Sequence, residues 1–551
     1  MLFRSLEPGG VVNIATKQPL SNPAYTVGLG VGNYGFLQPN IDLTGPLNAD
    51  KTLLYRFNAS YQNANNIQDF VKTNQIGLAP SITWKIGDRT DLNVYYEYAK
   101  FAANPPVSGS LILSDGSFTP RNLFTSYPNF SDTDQTANRF GYTLTHKLND
   151  EWQIRNNFAG LVANIDETQT YTTALQADRF ATLESYDLDY GYKNYFGQID
   201  ILGKFKTGSL SHQFLAGFDI NSFTDNYQGS SNTDLPILDI RNPNYNIPNI
   251  SYSPFLEFEN RVQSYGVYVQ DRIAFSNNLQ LLVGGRYDWT SSKFEVGQFG
   301  SLGNTTEEPV RTNGAFSPRI GLVYQPNQTV SLYTSYSSSF RPSTGFDSAT
   351  NAFDPTKGTQ YEIGVKADLF DRKLSTTLSA YSLTKTNVTT PDPTNPLFSV
   401  QTGEQRSQGI ELDVAGEVSP GWKVIGSYAL TNARVTQDNA TPVGNRMPNV
   451  PENQFSLWTT YDIQTGNFKG LGFGLGLFYV GARQGDLANT FQLKDYVRND
   501  AAIYYKGDGY KAAINIRNLF NTDYASSTNG GRLSLNRGEP LTIAGSISWE
   551  F

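Results

Sequence analysis

Cysteine is absent from the 551 residues, which excludes disulfides, thiolate metal sites and a thiol nucleophile. Histidine occurs only twice, at His146 and His212, too far apart in sequence to form a ligand motif, and both read as rim residues beside tight turns. No apolar run approaches the ~20 residues that a membrane-spanning helix needs. Excess positive charge is also missing. A net charge of −8 argues against nucleic acid as a partner. Phosphate-binding loops, zinc-protease signatures and compact Ser/His or carboxylate sets are absent, so no catalytic residue, resident metal or cofactor is expected. The residues before Glu7 carry no apolar core of the kind that a secretion signal has.

What the chain does have is aromatics, at 13% of residues with 33 Tyr and 34 Phe, in a composition that is only 38% hydrophobic. Low hydropathy with many aromatics suits a sheet of which only alternate residues touch an apolar phase. The alternation is visible in residues 541–551. Leu541, Ile543, Gly545, Ile547, Trp549 and Phe551 share one face, and Thr542, Ala544, Ser546, Ser548 and Glu550 the other. The same period recurs upstream. Leu281, Val283, Tyr287 and Trp289 alternate with Gln280, Arg286 and Asp288, and Tyr361, Ile363 and Val365 with Glu362 and Lys366. A charged side chain facing lipid at mid-membrane costs about 2–4 kcal/mol for Arg or Lys, so these charges require a wet interior.

The connections fall into two classes. Gly87-Asp88, Leu148-Asn-Asp150, Lys206-Thr-Gly208, Ser276-Asn-Asn278, Asp371-Arg372 and Gly507-Asp-Gly509 are tight turns. Between them lie long polar links, among them 102–137, 166–189, 226–259, 292–312, 341–356, 389–402, 437–450, 483–494 and 521–538. Alternating short and long links put all tight turns at one rim of an up-and-down barrel and all long loops at the other. The fold expected is an all-β transmembrane antiparallel barrel of about 22 strands, a size associated with plugged transporters. Closure requires the last strand to pair with residues 25–31, since a sheet edge cannot be left open in lipid.

With the strands placed, a set of motifs resembles one family. Pro8-Gly-Gly-Val-Val-Asn-Ile-Ala-Thr-Lys-Gln-Pro19 looks like the exit from the plug domain of TonB-dependent ferric-siderophore receptors. Tyr265-Gly-Val-Tyr-Val-Gln-Asp271, Gly285-Arg-Tyr-Asp288, Gly358-Thr-Gln-Tyr-Glu362, Ser407-Gln-Gly-Ile-Glu-Leu412 and Asn515-Ile-Arg-Asn-Leu-Phe-Asn521 follow in the family's order. The set is most similar to receptors for ferrichrome and other hydroxamate siderophores. The resemblance implies an outer-membrane transporter in a Gram-negative-type bacterium, with a plug remnant over 1–20 and the barrel over 21–551. It implies a form cut at the N-terminus, lacking the signal peptide, the TonB-binding segment and most of the plug. As written, such a chain is expected to be a leaky pore. A passive porin is the alternative.

Expected partners are a ferric siderophore, outer-membrane lipid, the barrel-assembly machinery and, in the full-length family, TonB. No cofactor is expected because the siderophore carries the ferric ion. Candidate ligand contacts are the inward aromatics Phe101, Tyr190 and Tyr192 near the long-loop rim. Arg286, Asp288, Arg319, Glu362 and Lys366 are inward charges expected to face the plug. Trp549 and Phe551 are the expected assembly signal.

Overall fold

The computed structural model describes residues 15–105, 108–247, 250–296, 306–307, 311–343, 353–391 and 399–551. Residues 1–14 lie outside the described residues, and with them most of the Pro8–Pro19 motif.

Twenty-two antiparallel strands form one closed barrel. Closure follows from a backbone whose polar groups find no water in hydrocarbon and must pair strand to strand. The first strand (Ala24–Gly32) pairs with the last (Thr542–Glu550) from Thr26 opposite Glu550 to Gly32 opposite Ala544. Tyr25 and Phe551 then exchange both backbone hydrogen bonds, each at 3.0 Å. The chain's final residue is thus part of the seam. The alternation expected from sequence also holds: Val283, Tyr287 and Trp289 are exposed on the outer face, while Arg286 and Asp288 are buried on the inner one.

The barrel is much taller on one side than the other. The first strand and the last two, Tyr510–Arg517 and Thr542–Glu550, have 9, 8 and 9 residues, about what a tilted strand needs to cross a bilayer. The seventh to tenth strands, Trp152–Gln176, Phe180–Thr207, Leu210–Asn232 and Ser253–Ala274, have 25, 28, 23 and 22 residues. The link expected at 166–189 is therefore not a loop: strand continues to Gln176 and resumes at Phe180. Likewise strand covers both ends of 226–259 and the 292–296 part of 292–312. The physical reason is plain. Above the membrane both strand faces are wet, the apolar half of the alternation disappears, and a strand of that kind resembles polar loop.

At the tight-turn rim, Trp152, Phe205, His212 and Phe214 face outward as a stack, with Phe205 4.5 Å from the His212 ring. His212 is fixed there by Thr207 and Asp271, and His146 by Thr90, so both histidines are rim residues. At the other rim the loops on either side of the short arc dock on each other. Ile112 and Phe118 pack with Phe491, Leu493, Ala525 and Leu535. Arg121 and Arg537 both bind Asp523, with Arg537 Nε donating to its Oδ1 at 2.7 Å. A side chain at Gly109, whose φ is +59°, would place its Cβ 2.4 Å from the Leu535 carbonyl, so the backbone approach needs glycine. Hydrogen bonds from Arg537 and then Arg121 hold the Asp523 carboxyl below the usual carboxylate range.

Two outcomes are expected. Deleting Trp549–Phe551 removes paired backbone from the seam and should abolish the heat-modifiable folded band on a gel; retention of that band would mean the seam closes without these residues. Because the Asp523 carboxyl is depressed in the folded state, the loop contact is fully present above the unfolded carboxylate value of about 4 and is lost as pH falls below it. Protection factors over 108–125 and 525–537, taken relative to the intrinsic exchange rate at each pH, should therefore be flat from pH 7 to 5 and fall in acid. In Asp523→Asn the step should vanish.

Candidate functional site

On the inner wall the strand register lines up a belt. Phe101 stands opposite Gln135, Gln135 opposite Ile165, Ile165 opposite Tyr190, Tyr190 opposite Tyr227, and Tyr227 opposite Phe258. All six are inward, since their strand neighbours of opposite parity include the exposed outer residues Tyr96, Phe140, Tyr195 and Phe218. On the other side of Phe101 the belt continues through Gln75 and Gln62, and Gln62 accepts a 3.1 Å hydrogen bond from Gln38. One half is thus glutamine amides and the other half aromatic faces. Tyr190 lies 4.9 Å from the Tyr227 ring, Tyr227 5.1 Å from Phe258, and Phe258 5.3 Å from Phe294. Tyr192 stacks parallel below Tyr190 at 6.2 Å.

The height of the belt follows from its outward neighbours. Asp134, Asp166 and Asp189 are directly opposed across three strands, and Glu257 and Glu259 flank Phe258. Carboxylates in that density cannot face hydrocarbon, so the belt stands above the bilayer in an extracellular vestibule. Within it, burial and the neighbouring Glu184 carboxylate push the Tyr186 hydroxyl up to about 12. The vestibule tyrosines are therefore neutral hydrogen-bonding groups rather than phenolates.

About 26 Å further down the eighth strand, at ~3.3 Å per residue, comes a second tier. Two adjacent rows run across four strands: Gln198, Asp219, Gly266 and Asp288, then Asp200, Gly217, Tyr268 and Arg286. Arg286 donates through Nη1 and Nη2 to Asp219 at 2.5 and 2.8 Å, and through Nε to Asp288 at 2.7 Å. Arg155 donates to Asp200 at 2.6 Å, and the Tyr268 hydroxyl also donates to Asp200. Glycine makes this possible. A Cβ at Gly266 would sit 1.9 Å from Arg286 Nη2, and one at Gly217 2.4 Å from the Tyr268 hydroxyl. The two long side chains lie flat across the bare backbone, and the wall stays smooth where charge is densest.

The candidates read from sequence are therefore distributed as follows. Phe101, Tyr190 and Tyr192 all face the vestibule, with Phe101 and Tyr190 in one belt, three strand spacings or about 14 Å apart. Arg286 and Asp288 take wall partners. Glu362 accepts from Tyr333 at 2.7 Å, Lys366 lies 3.8 Å from Asp368, and Arg319 faces inward opposite Ser337 and Gly284. Missed by the sequence reading were Tyr227, Phe258, Gln75 and Gln135. The first two fell in a stretch taken for loop; the signal that finds them is aromatic recurrence at even spacing inside a polar run.

A family model described as TonB dependent receptor-like, beta-barrel matches residues 81–519. The chain belongs to the TonB-dependent receptor family. It is 30% identical to the metal-pseudopaline receptor of Pseudomonas aeruginosa over all of this chain and 78% of that protein. The ferrichrome outer membrane transporter/phage receptor of Escherichia coli K12 is 29% identical, covering 96% of this chain and 74% of its own length. Among solved structures, the ferric-catecholate import receptor Fiu of E. coli K12 superposes with a TM-score of 0.88 at 22% identity. That match covers 99% of this chain and 84% of the other. As a TonB-dependent receptor barrel the chain is an outer-membrane protein of Gram-negative bacteria.

The glycine-dependent tier gives a prediction. Gly266→Ala drives Arg286 off two buried carboxylates, a disruption on the scale of about 3–5 kcal/mol. Its folded band should convert to the unfolded one at a clearly lower temperature than wild type, whereas Gly531→Ala, in a loop with open space around it and no left-handed backbone, should shift less. Equal stability of Gly266→Ala and wild type would show that the network does not hold the wall.

Proposed function

We propose that the chain imports ferric siderophores, with hydroxamate chelates as the favoured class, through the vestibule belt. The observation that carries this reading is the belt itself: amides and neutral aromatic faces turned inward above the bilayer, in a TonB-dependent receptor barrel. A hydroxamate chelate supplies all the oxygen ligands of its iron. The protein then needs to offer only apolar faces and hydrogen-bonding amides to the outside of the complex, and no resident metal. The named ligands of the ferrichrome and ferrioxamine B relatives support this chemistry. Transport rather than catalysis is the role supported, since the relatives are named as receptors and transporters. A diffusion porin is not favoured by the family match or by the 22 strands.

Residues 15–20 run on the lumen side of the wall. Lys17 and Arg56 both bind Asp42 at 2.6 Å, and Arg56 also holds the Gln18 carbonyl at 2.9 Å. We read this stretch as the place where a plug joins the barrel, and energy for import as reaching the chain through TonB at that plug. Insertion is assigned to the barrel-assembly machinery acting on the strand that ends at Phe551.

The test is binding of ferrichrome to the detergent-solubilised chain, followed by quenching of tryptophan fluorescence. Tyr190→Ala with Tyr227→Ala should weaken binding about tenfold or more, as the loss of two aromatic contacts predicts. Tyr461→Ala, on the outer face, should not. Unchanged affinity in the belt variant would remove the belt as the site.

A further inference from the structure

One inward step below the belt, two residues or ~7 Å along the strand, the lumen wall changes character. Tyr192 of the eighth strand stands opposite Asp225 of the ninth, and Asp225 opposite Asn260 of the tenth. The eleventh strand (Leu279–Val296) then sets Phe294 opposite Asn260. Phe223 and Tyr227 lie two positions to either side of Asp225 on its own strand. Tyr192 stacks on Phe223 at 6.4 Å and on Tyr190 at 6.2 Å. A single carboxylate is thus set among aromatic faces.

That carboxylate has no counter-charge. Asp225 forms no ion pair among the described residues; Asn260 donates an amide N–H to its Oδ1 at 2.9 Å, and no side chain among them donates to Oδ2. Asn260 and Asn194 each keep a buried side-chain oxygen without a donor among the described residues. The surrounding cations are turned away or taken. Lys193, Arg261 and Lys293 are nearest in register, and all three share the outward parity of the exposed Tyr195, Tyr265 and Tyr287. Arg261 and Lys293 are engaged there by Glu259 and Glu295. Arg139, inward on the sixth strand (Asp132–Lys147), pairs with Glu97 at 3.3 Å. Glu167, inward on the seventh strand just above Ile165, also lacks a cation and accepts from Thr133 at 3.1 Å. Burial holds the Asp225 carboxyl above the usual carboxylate range in spite of the Asn260 hydrogen bond. Burial and then the Asp225 charge push the Tyr192 hydroxyl up. Both shifts are what an uncompensated negative charge in a partly buried wall produces.

We propose that Asp225 is a specificity-determining residue for a protonated amine carried by the imported chelate, with Tyr192, Phe223 and Tyr227 flanking the ammonium. The assignment rests on the vestibule belt being the binding site and adds the charge that the belt selects. An ammonium presents three N–H donors and a positive charge. The carboxylate answers both, and the ring faces answer the charge. A hard divalent metal is a poor match, since one carboxylate among rings falls short of the about six oxygen ligands it takes. Among the described residues no group of three or more His, Asp or Glu could hold one. An anionic chelate meets repulsion from Asp225 and from Glu167 above it.

The experiment compares two ferric trihydroxamates that differ at one nitrogen: ferrioxamine B, whose chain ends in a primary ammonium, and the same chelate acetylated there. Binding to the detergent-solubilised chain is followed by tryptophan quenching at pH 7. Wild type should bind the ammonium form about tenfold more tightly. Asp225→Asn should bring the two affinities within twofold by weakening the ammonium form. Asp134→Asn, which removes a carboxylate from the outer face, should keep the full preference. Heat-modifiable migration confirms that each variant is folded. Equal affinities in wild type, or a preference that survives Asp225→Asn, would overturn the proposal. So would loss of the wild-type preference on adding millimolar magnesium at constant ionic strength, which would give the carboxylate to a metal. Ferrichrome, which carries no amine, reads the belt alone. If it binds and is lost in Tyr190→Ala with Tyr227→Ala while the ammonium preference is absent, only the charge assignment fails; if none of the three chelates binds, both assignments fall.

Discussion

Backbone hydrogen bonding in hydrocarbon is the constraint on which everything else here depends. An unpaired peptide group inside the bilayer costs several kcal/mol, so the sheet has to close, and the closing pair includes the last residue of the chain. Closure in turn sets direction. Each strand shows one parity to lipid and the other to the lumen, so a side chain's place in the number sequence decides whether it meets an acyl chain or water. The same rule explains why Arg286 can be buried in a transmembrane wall. It is on the lumen parity, and the wall supplies Asp219 and Asp288 as counter-charges.

Height along the strands then separates surfaces of different chemistry that share one arc. The seventh to eleventh strands carry aromatic faces above the membrane and a flat ion-pair network at its level. Glycine governs the second tier. With no side chain at 217 and 266, Tyr268 and Arg286 lie along the sheet instead of projecting into the lumen. The result is a wall that stays smooth across its buried charges. The short side of the barrel is covered differently, by loops from the fifth and twenty-first strands that meet through Ile112, Leu535 and the Arg121–Asp523–Arg537 bridge.

Much of this was legible in the chain before folding, for a local reason. Period-two alternation, tight turns and strand count depend on neighbours in sequence, so the barrel, its rims, the inward placement of Arg286 and Glu362, and the pairing of 541–551 with 25–31 could all be read directly. The motif set reached the family for the same reason, because each motif is a short run with its own local geometry. Where the surroundings of a strand become water on both faces, that local signal ends. The stretches around Tyr171, Tyr186 and Tyr227 therefore looked like loop although they are strand.

Tertiary structure decided what stands beside what. Phe101 and Tyr190 are 89 positions apart by number, and only the registers of the fifth to eighth strands put them in one belt. Nothing local distinguishes Gly266 from other glycines; the flat seat of Arg286 exists because a neighbouring strand arrives at that height. Nor does Lys506 differ as a residue from Lys204, yet register sets Lys506 3.3 Å from Asp462, while no carboxylate pairs with Lys204 among the described residues. Alternation belongs to a single strand and is written in the sequence. Register belongs to pairs of strands, is set by twenty-two of them closing together, and had to be seen.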